Sequence, residues 1–344
     1  SAPTKARKII VSERDRHVIA FGANPIGETD QDRLLIRFST QENPFQWRPT
    51  ATNTAGDLRI GSGSEIVTAV KTRREMIVLT DTSVHSMQFI GPPFTFGINQ
   101  LASNITVRGF NTAVAVGDAV FWMGYDRFYV YDGRVQVIPC SVRDHVFQNF
   151  NETQSDKVYA GVNSAFGEVF WFYPSQSSAN NDKYVVYNYD QKIWYVGNLA
   201  RSSWIDRGVY QYPMATDSNL VYNHEKGNDN DGTAFTSFIE SSPIDVQDGD
   251  QFVFLRRMIP DVSFDNSDSD ISNDNKQAVF SLKAQRSPGG GFIKTSTNTV
   301  SSTTELNHLR LRGRSFGLRV ESTTEKVNWR LGTVRVDLRA DGDR

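Results

Sequence analysis

The feature that most constrains the fold is a recurring pair of strand-like segments whose second member ends on an aromatic residue. Its instances begin at Leu34–Phe38, Val84–Phe89, Phe128–Tyr131, Tyr184–Tyr189 and Leu220–His224. The first four continue to Trp47, Phe94, Val135–Val137 (through a turn at Asp132–Gly133) and Ile193–Tyr195. Their starts are about 46 residues apart on average, within the roughly 40–50 residues of a propeller blade. This period predicts blades.

Upstream of three of these pairs lies a segment that is apolar nearly throughout. These segments are Met76–Leu79, Ala119–Met123 and Glu168–Phe172. Such runs are expected for strands that are buried on both faces. A buried inner strand, followed by a hairpin and by an edge strand that carries an aromatic residue, predicts a four-stranded blade. The sequence therefore predicts a β-propeller-like domain over residues 1–227. Because some propellers need more than five blades, either a blade is divergent or an N-terminal part, absent before Ser1, completes the ring.

The composition agrees with many short strands joined by turns. Aromatic residues make up 12% of the chain, with 22 Phe, 12 Tyr and 6 Trp, and such residues are enriched in strands. The 25 Gly and 12 Pro, with abundant Asn, Asp, Ser and Thr, supply the turns. The sequence therefore predicts an all-β fold.

Beyond residue 227 the pattern changes to strands that alternate apolar and polar residues. These are Phe235–Glu240, Phe252–Leu255, Val279–Leu282, Phe316–Val320 and Trp329–Leu338. Alternation suits a sheet with one face in water, so we expect an additional β-sandwich-like C-terminal domain over residues 228–344. The polar stretch Asp265–Lys276 and the run Pro288–Gly291 are expected to be exposed loop tips.

Charge and cysteine content exclude several classes of protein. With 37 Lys+Arg and 39 Asp+Glu, the net charge of -2 argues against a surface that binds nucleic acid by broad phosphate neutralisation. Cys140 is the single cysteine, so neither an internal disulfide nor a thiolate metal cluster can form within one chain. No segment approaches the roughly 18 apolar residues of a membrane span.

Two acidic loops resemble calcium sites in part, because closely spaced carboxylates can wrap a hard cation. Asp229, Asp231 and Gly232 give half of such a loop. The second loop holds Asp265, Asp268, Asp270 and Asp274, but Lys276 stands where a bidentate Glu would be. Solvated turns are the favoured interpretation. The histidines His17, His85, His145, His224 and His308 lack partners at metal-ligand spacing, so no metal or cofactor is expected.

No catalytic arrangement stands out in the sequence. Gly61–Ser64 lacks the pattern of a nucleophile elbow. Ser39–Trp47 resembles the Asp-box turn of sialidase propellers but lacks its Asp and Gly, which favours a blade turn over catalysis. A glycosidase needs two carboxylates that flank one bond, a pairing that sequence alone does not test. We therefore predict no enzymatic activity and no catalytic residues.

The C-terminal region contains a basic run that could face a phosphate backbone. Residues two apart on a strand share a face, so Arg310, Arg312 and Arg314 would align if Leu309 and Leu311 point inward. Arg330, Arg335 and Arg339 are close in sequence. The favoured alternative is a salt-bridge face, because Glu321, Glu325 and Asp337 are nearby.

Several segments resemble the tail nozzle or hub proteins of short-tailed bacteriophages, also called tail tubular protein B or packaged-DNA stabilisation proteins. The segments are Phe38–Pro49, Ala51–Asp57, Thr80–Pro93, Trp122–Gly124, Phe128–Val135, Asn163–Pro174 and Val327–Gly332. The resemblance implies a propeller-like structural subunit of the virion tail, assembled in the bacterial host cytoplasm. It further implies a ring, expected to be a homohexamer, that binds the tail adaptor and tail fibres and contacts passing DNA during ejection.

Two alternatives stay open. One is a carbohydrate-binding or glycan-degrading tail propeller, which would need two carboxylates about 5–10 Å apart beside an aromatic platform. The other is a DNA-clamping module built on the arginines between Arg310 and Arg339. Trp47, Trp122, Trp171 and Trp194 are predicted to be structural aromatics of the blades.

Overall fold

The computed structural model of the chain describes residues 1–246, 248–287 and 289–342. Within these residues the fold is all β, as predicted, and helix is confined to α1 (Arg143–Phe147) and 3-10 helices at Glu152–Lys157 and Asn273–Asn275. The chain divides into two compact units, Ser1–Glu225 and Lys226–Arg344. The sequence predicts this boundary between residues 227 and 228. No helix of the described residues is long and apolar enough to cross a membrane.

The first unit consists of antiparallel sheets that follow one another along the chain, and each sheet pairs its strands in sequence order. The first sheet contains β1 (Lys8–Ser12), β2 (His17–Phe21), β3 (Leu35–Phe38) and β4 (Gly56–Arg59). The second contains β5 (Ile66–Lys71), β6 (Met76–Thr80), β7 (Ser83–Gly91) and β8 (Thr95–Ser103). The third contains β9 (Ala113–Val116), β10 (Ala119–Met123), β11 (Phe128–Tyr131) and β12 (Val135–Ile138).

Two further sheets complete the first unit. The fourth contains β13 (Tyr159–Asn163), β14 (Glu168–Tyr173), β15 (Lys183–Asn188) and β16 (Ile193–Asn198). The fifth has three strands, β17 (Ser203–Ile205), β18 (Met214–Asp217) and β19 (Leu220–Asn223). The recurring segments of the sequence are the third strands of these sheets, β3, β7, β11, β15 and β19. The apolar runs are the second strands β6, β10 and β14, each paired on both sides, which confirms the inner-strand prediction.

The sheets of the first unit are arranged like propeller blades. The first strands of consecutive sheets lie beside one another, so that β5 contacts β1 and β9, and β13 contacts β9 and β17. Residues of β1, β9, β13 and β17 line one common cavity of about 500 Å³. Neighbouring sheets also bury apolar side chains against each other: Phe21 of β2 and Val78 of β6 share one core, and Met123 of β10 and Trp171 of β14 share another.

The second unit is a β-sandwich-like fold. One sheet contains β20 (Ser237–Glu240), β21 (Ile244–Asp245), β24 (Gln277–Gln285), β25 (Phe292–Ser301) and β27 (Ser315–Ser322). In it, β27 pairs with β20, β21 and β24, and β24 pairs with β25. The other sheet has β22 (Val253–Ile259) between β26 (Asn307–Gly313) and β29 (Arg335–Ala340). A short pair joins β23 (Val262–Ser263) to β28 (Arg330–Leu331).

Alternating side chains of the two sheets form one core, which includes Leu255, Phe280, Leu311 and Val320. The strand predicted over Trp329–Leu338 is interrupted. The reason is that the backbone N–H groups of Gly332 and Thr333 donate to Asp261, to its carbonyl at 2.7 Å and its carboxylate at 2.8 Å.

The sequence does not predict strand β25, because its residues from Phe292 to Thr299 are polar or exposed and show no apolar periodicity. Pro288 of the predicted glycine-rich loop lies outside the described residues, and Gly289 stands at a turn with a φ of 73°.

Candidate functional site

The outer face of the sheet β26-β22-β29 collects arginine side chains from all three of its strands. Pairing aligns Phe254 with Arg312 on one side and with Arg339 on the other, and aligns Ile259 with Arg335. Arg310 lies between Leu309 and Leu311, which are buried as the sequence predicted. We call this surface the arginine face. It consists of Arg256, Arg257, Arg310, Arg312, Arg335 and Arg339.

A β-bulge between Leu255 and Arg257 decides which charges meet on the arginine face. It places both Arg256 and Arg257 beside Asp337, whose Oδ2 lies 3.7 Å and 3.0 Å from the two Nε atoms. Arg312 pairs with Asp341, and the Arg335 guanidinium lies 3.8 Å from Asp261.

The expected salt-bridge face is therefore only partly present. Of the acidic residues that favoured it, Asp337 lies on the arginine face, but Glu321 is on the other sheet, where it accepts from Arg319 at 2.7 Å. Within the part of the chain that the structure describes, Arg310 and Arg339 have no carboxylate within salt-bridge distance. Among the residues that the structure describes, arginines therefore outnumber carboxylates on this face.

Arg314 and Arg330 lie outside the three strands of this sheet. Arg314 follows the end of β26, and its guanidinium lies 4.8 Å from the centre of the Phe252 ring. Arg330 belongs to the short strand β28. The two-residue alternation nevertheless continues from Arg310 through Arg312 to Arg314, since the Arg312 guanidinium lies 4.1 Å from the centre of the same Phe252 ring.

The first unit contains a carboxyl cluster that sequence reasoning missed. Tyr195 Oη donates to Glu168 Oε1 at 2.7 Å, and the fully buried Asn163 donates through Nδ2 to Glu225 Oε1 at 3.1 Å. Burial raises the pKa of the Glu168 carboxyl, and the negative charge of Glu225 adds to that rise. Burial also raises the pKa of Glu225. Among the described residues, the buried Asn163 Oδ1 atom has no hydrogen-bond donor.

The central cavity of the first unit has a nearly balanced charge. Lys8 and Asp206 line it, together with Tyr159 and Trp204. The Lys8 ammonium donates to Thr68 Oγ1 at 3.1 Å, and burial lowers the pKa of this lysine. Glu168 and Glu225 are not among the residues that line this cavity.

The predicted acidic loops make turn-like contacts. Asp229 accepts from the backbone of Gly232 at 3.0 Å, which is an ordinary turn contact. In the second loop Asp268 accepts from Asn228 at 2.6 Å and Asp270 pairs with Lys326 at 2.5 Å. Among residues 1–246, 248–287 and 289–342, no three His, Cys, Asp or Glu side chains converge in a metal-ligand set.

The histidines serve different local roles. His17 is buried in β2, where Nε2 lies 3.2 Å from Thr54 Oγ1. His224 contacts the Arg201 guanidinium at 2.8 Å, and its burial together with that positive charge lowers its pKa to about 4. His145 and His308 are exposed on the surface.

The turn at Gly61–Ser64 contacts a histidine that sequence spacing did not reveal. Ser62 Oγ lies 3.0 Å from His85 Nε2, but Ser83 Oγ lies 2.9 Å from the same nitrogen. Ser62 and Ser83 are also 3.1 Å apart. This network ties the turn to β7, since one ring nitrogen is shared by two hydroxyls.

The tryptophans predicted to be structural are held by packing and by their indole N–H groups. Trp122 and Trp171 are fully buried, Trp47 is buried and Trp194 is half-buried. Each donates to a backbone carbonyl, Trp47 to Pro44 at 2.6 Å, Trp122 to Thr106 at 3.2 Å, Trp171 to Thr112 at 3.0 Å and Trp194 to Pro139 at 2.8 Å. The segment Ser39–Trp47 forms a tight turn closed by a bridge between Thr40 and Asn43.

Comparison with known proteins adds little to these observations. No protein-family model matches the chain. No curated protein sequence matches it either. Among solved structures, a protein titled "Glycoside hydrolase" is similar at a TM-score of 0.29 and 9% sequence identity, over 94% of this chain and 96% of that one. A similarity at that TM-score carries no argument about this chain.

Proposed function

We propose that the chain is a non-enzymatic structural subunit of a short bacteriophage tail, where copies of it form a nozzle or hub ring, expected to be a hexamer. The ring surrounds part of the DNA exit channel and binds the tail adaptor and the tail fibres. The observation that carries this proposal is the propeller-like first unit, since it is the fold that the resemblance to tail nozzle proteins implies. The exposed strand edges of the second unit further support assembly into a ring.

In its described residues, the sandwich of the second unit is open along one side. Strands β25 and β26 lie together at one side, so β20, β21 and β29 are at the other. There Ile239, Ile244, Val336 and Leu338 form what we call the open edge, and they are 53%, 61%, 39% and 39% exposed.

Pairing shows that the open edge continues the core. Leu338 lies opposite the buried Leu255, and Ile239 lies opposite the buried Val320. Residues directly opposite on antiparallel strands point to the same face, so these exposed side chains are on the core side of each sheet. Unpaired strand edges with apolar side chains favour association with another chain, and a second copy in a ring supplies that chain.

The test is the molar mass of the purified chain by light scattering, alone and with tail particles that lack this protein. We expect a closed oligomer or ordered addition to the particle. The double variant Val336→Asp/Leu338→Asp places charges on the open edge and should shift the mass towards that of the monomer.

The matched control is Thr297→Asp/Thr299→Asp, which adds the same charges to exposed positions of β25 and should assemble normally. A wild-type chain that stays monomeric at every concentration and does not add to the particle would contradict the proposal. Hydrolysis or binding of a host glycan by that monomer would support the carbohydrate-directed alternative.

A further inference from the structure

We infer that the arginine face of the second unit binds the phosphate backbone of double-stranded DNA without regard to base sequence. The inference rests on the proposed function, in which DNA passes through the assembled tail, and it names the surface that contacts this DNA. Its support comes from the geometry, charge and side-chain chemistry of the face.

The geometry gives a regular array of cations. Strands of one sheet are about 4.8 Å apart, and residues two apart on a strand are roughly 6.8 Å apart on the same face. Arg312 and Arg339 flank Phe254 in one row, and Arg335 continues the face along β29. Leu311 and Leu338, on the opposite side of the sheet, fix the outward direction of these arginines because they point to the core side.

Within the described ranges of the chain, the charges of the face are incompletely matched. Asp337 is shared by Arg256 and Arg257, so one carboxylate serves two cations. Arg310 and Arg339 are exposed and have no carboxylate at salt-bridge distance among the described residues. Exposed ion pairs are weak, so incoming phosphates can compete with Asp337 for its arginines.

The side-chain chemistry fits phosphate better than it fits a protein surface. All six residues that define the face are arginines, and the planar guanidinium binds phosphate oxygens through two parallel hydrogen bonds. Protein interfaces bury an apolar centre that is depleted of charged residues. In the middle strand of this face the main apolar side chains are Phe254 and Ile259, and arginines lie beside both of them. The net charge of -2 limits broad attraction but leaves this local excess in place.

The experiment measures binding of a short random-sequence DNA duplex to the full chain by fluorescence anisotropy over a series of salt concentrations. We expect the logarithm of the association constant to fall linearly with the logarithm of salt. In Arg310→Gln/Arg339→Gln, the loss of two phosphate contacts should reduce that slope by about 1.8 and weaken binding roughly 10–100-fold near 0.1 M salt.

The control is Arg48→Gln/Arg286→Gln, which removes the same charge from exposed positions off the face and should retain the wild-type slope. Light scattering on the same samples separates this inference from the proposed function. If the chain assembles but binds no duplex, or if both double variants lose binding equally, the arginine face is not a DNA surface and the tail-subunit proposal is untouched. Binding of polyglutamate in place of DNA, with the same arginine dependence, would assign the face to an acidic protein and overturn the inference.

Discussion

Removal of the Trp171 side chain tests the blade packing of the first unit most directly. The indole is fully buried in β14, where its ring centre lies 4.8 Å from Phe128 and 6.0 Å from Trp194. Its N–H donates to the Thr112 carbonyl, but that oxygen also accepts from the backbone N–H of Met123 at 3.2 Å. Trp171→Ala therefore leaves no orphaned acceptor, and its cost comes from the cavity, about 3–5 kcal/mol in the free energy of unfolding.

The measurement is urea unfolding followed by far-ultraviolet circular dichroism. Fluorescence is unsuitable because the substitution removes one of the fluorophores. The chain has two compact units, so the transition of the first unit must be fitted separately from that of the second. The expected result is a lower midpoint for the first unit with an unchanged slope, since the surface exposed on unfolding is nearly the same.

Trp194→Ala is the matched control, because Trp194 belongs to the same aromatic group but is only half-buried. Less apolar area returns to water, so we expect a loss of about 1.5–3 kcal/mol. A loss below about 1 kcal/mol for Trp171→Ala, or a loss no larger than that of the control, would refute the assignment of β14 as a buried inner strand.

Two further predictions concern polar groups of the first unit. Because the folded-state pKa of Glu168 lies above its ordinary 4.5, the folded protein holds this proton where the unfolded chain has lost it. The free energy of unfolding should therefore fall as pH rises from the pKa of this carboxyl in the unfolded chain to its higher pKa in the folded protein. Glu168→Gln should make this fall smaller. Equal pH slopes for the two proteins in urea titrations would contradict the prediction. Arg108→Lys should cost about 1–3 kcal/mol in the same assay, because lysine cannot reproduce the buried guanidinium that lies 3.9 Å from the Phe150 ring centre and donates to Gly124 at 3.1 Å. The control Arg127→Lys, at an exposed position, should stay within about 0.5 kcal/mol of wild type. Equal losses for Arg108→Lys and Arg127→Lys would contradict the role given to the contact between the Arg108 guanidinium and the Phe150 ring.

The sequence by itself determined the class of fold and most of the strands. Periodicity is a local property, so the apolar runs of β6, β10 and β14 indicated inner strands without any knowledge of their neighbours. The same alternation placed Leu309 and Leu311 inside and Arg310 outside. Strand β25 carries no such signal and was missed, since pairing with β24 and not apolar periodicity defines it.

The candidate sites depended on tertiary structure. Glu168 and Glu225 are far apart in the sequence, and their carboxyl groups influence each other only because the turn after β13 and the end of β19 meet in the folded unit. The balance of positive and negative charge on the arginine face depends on the bulge in β22, which aligns Arg257 with Asp337. The register between strands that are distant in sequence is set by the packing of the whole sheet. Composition and residue spacing therefore do not predict it.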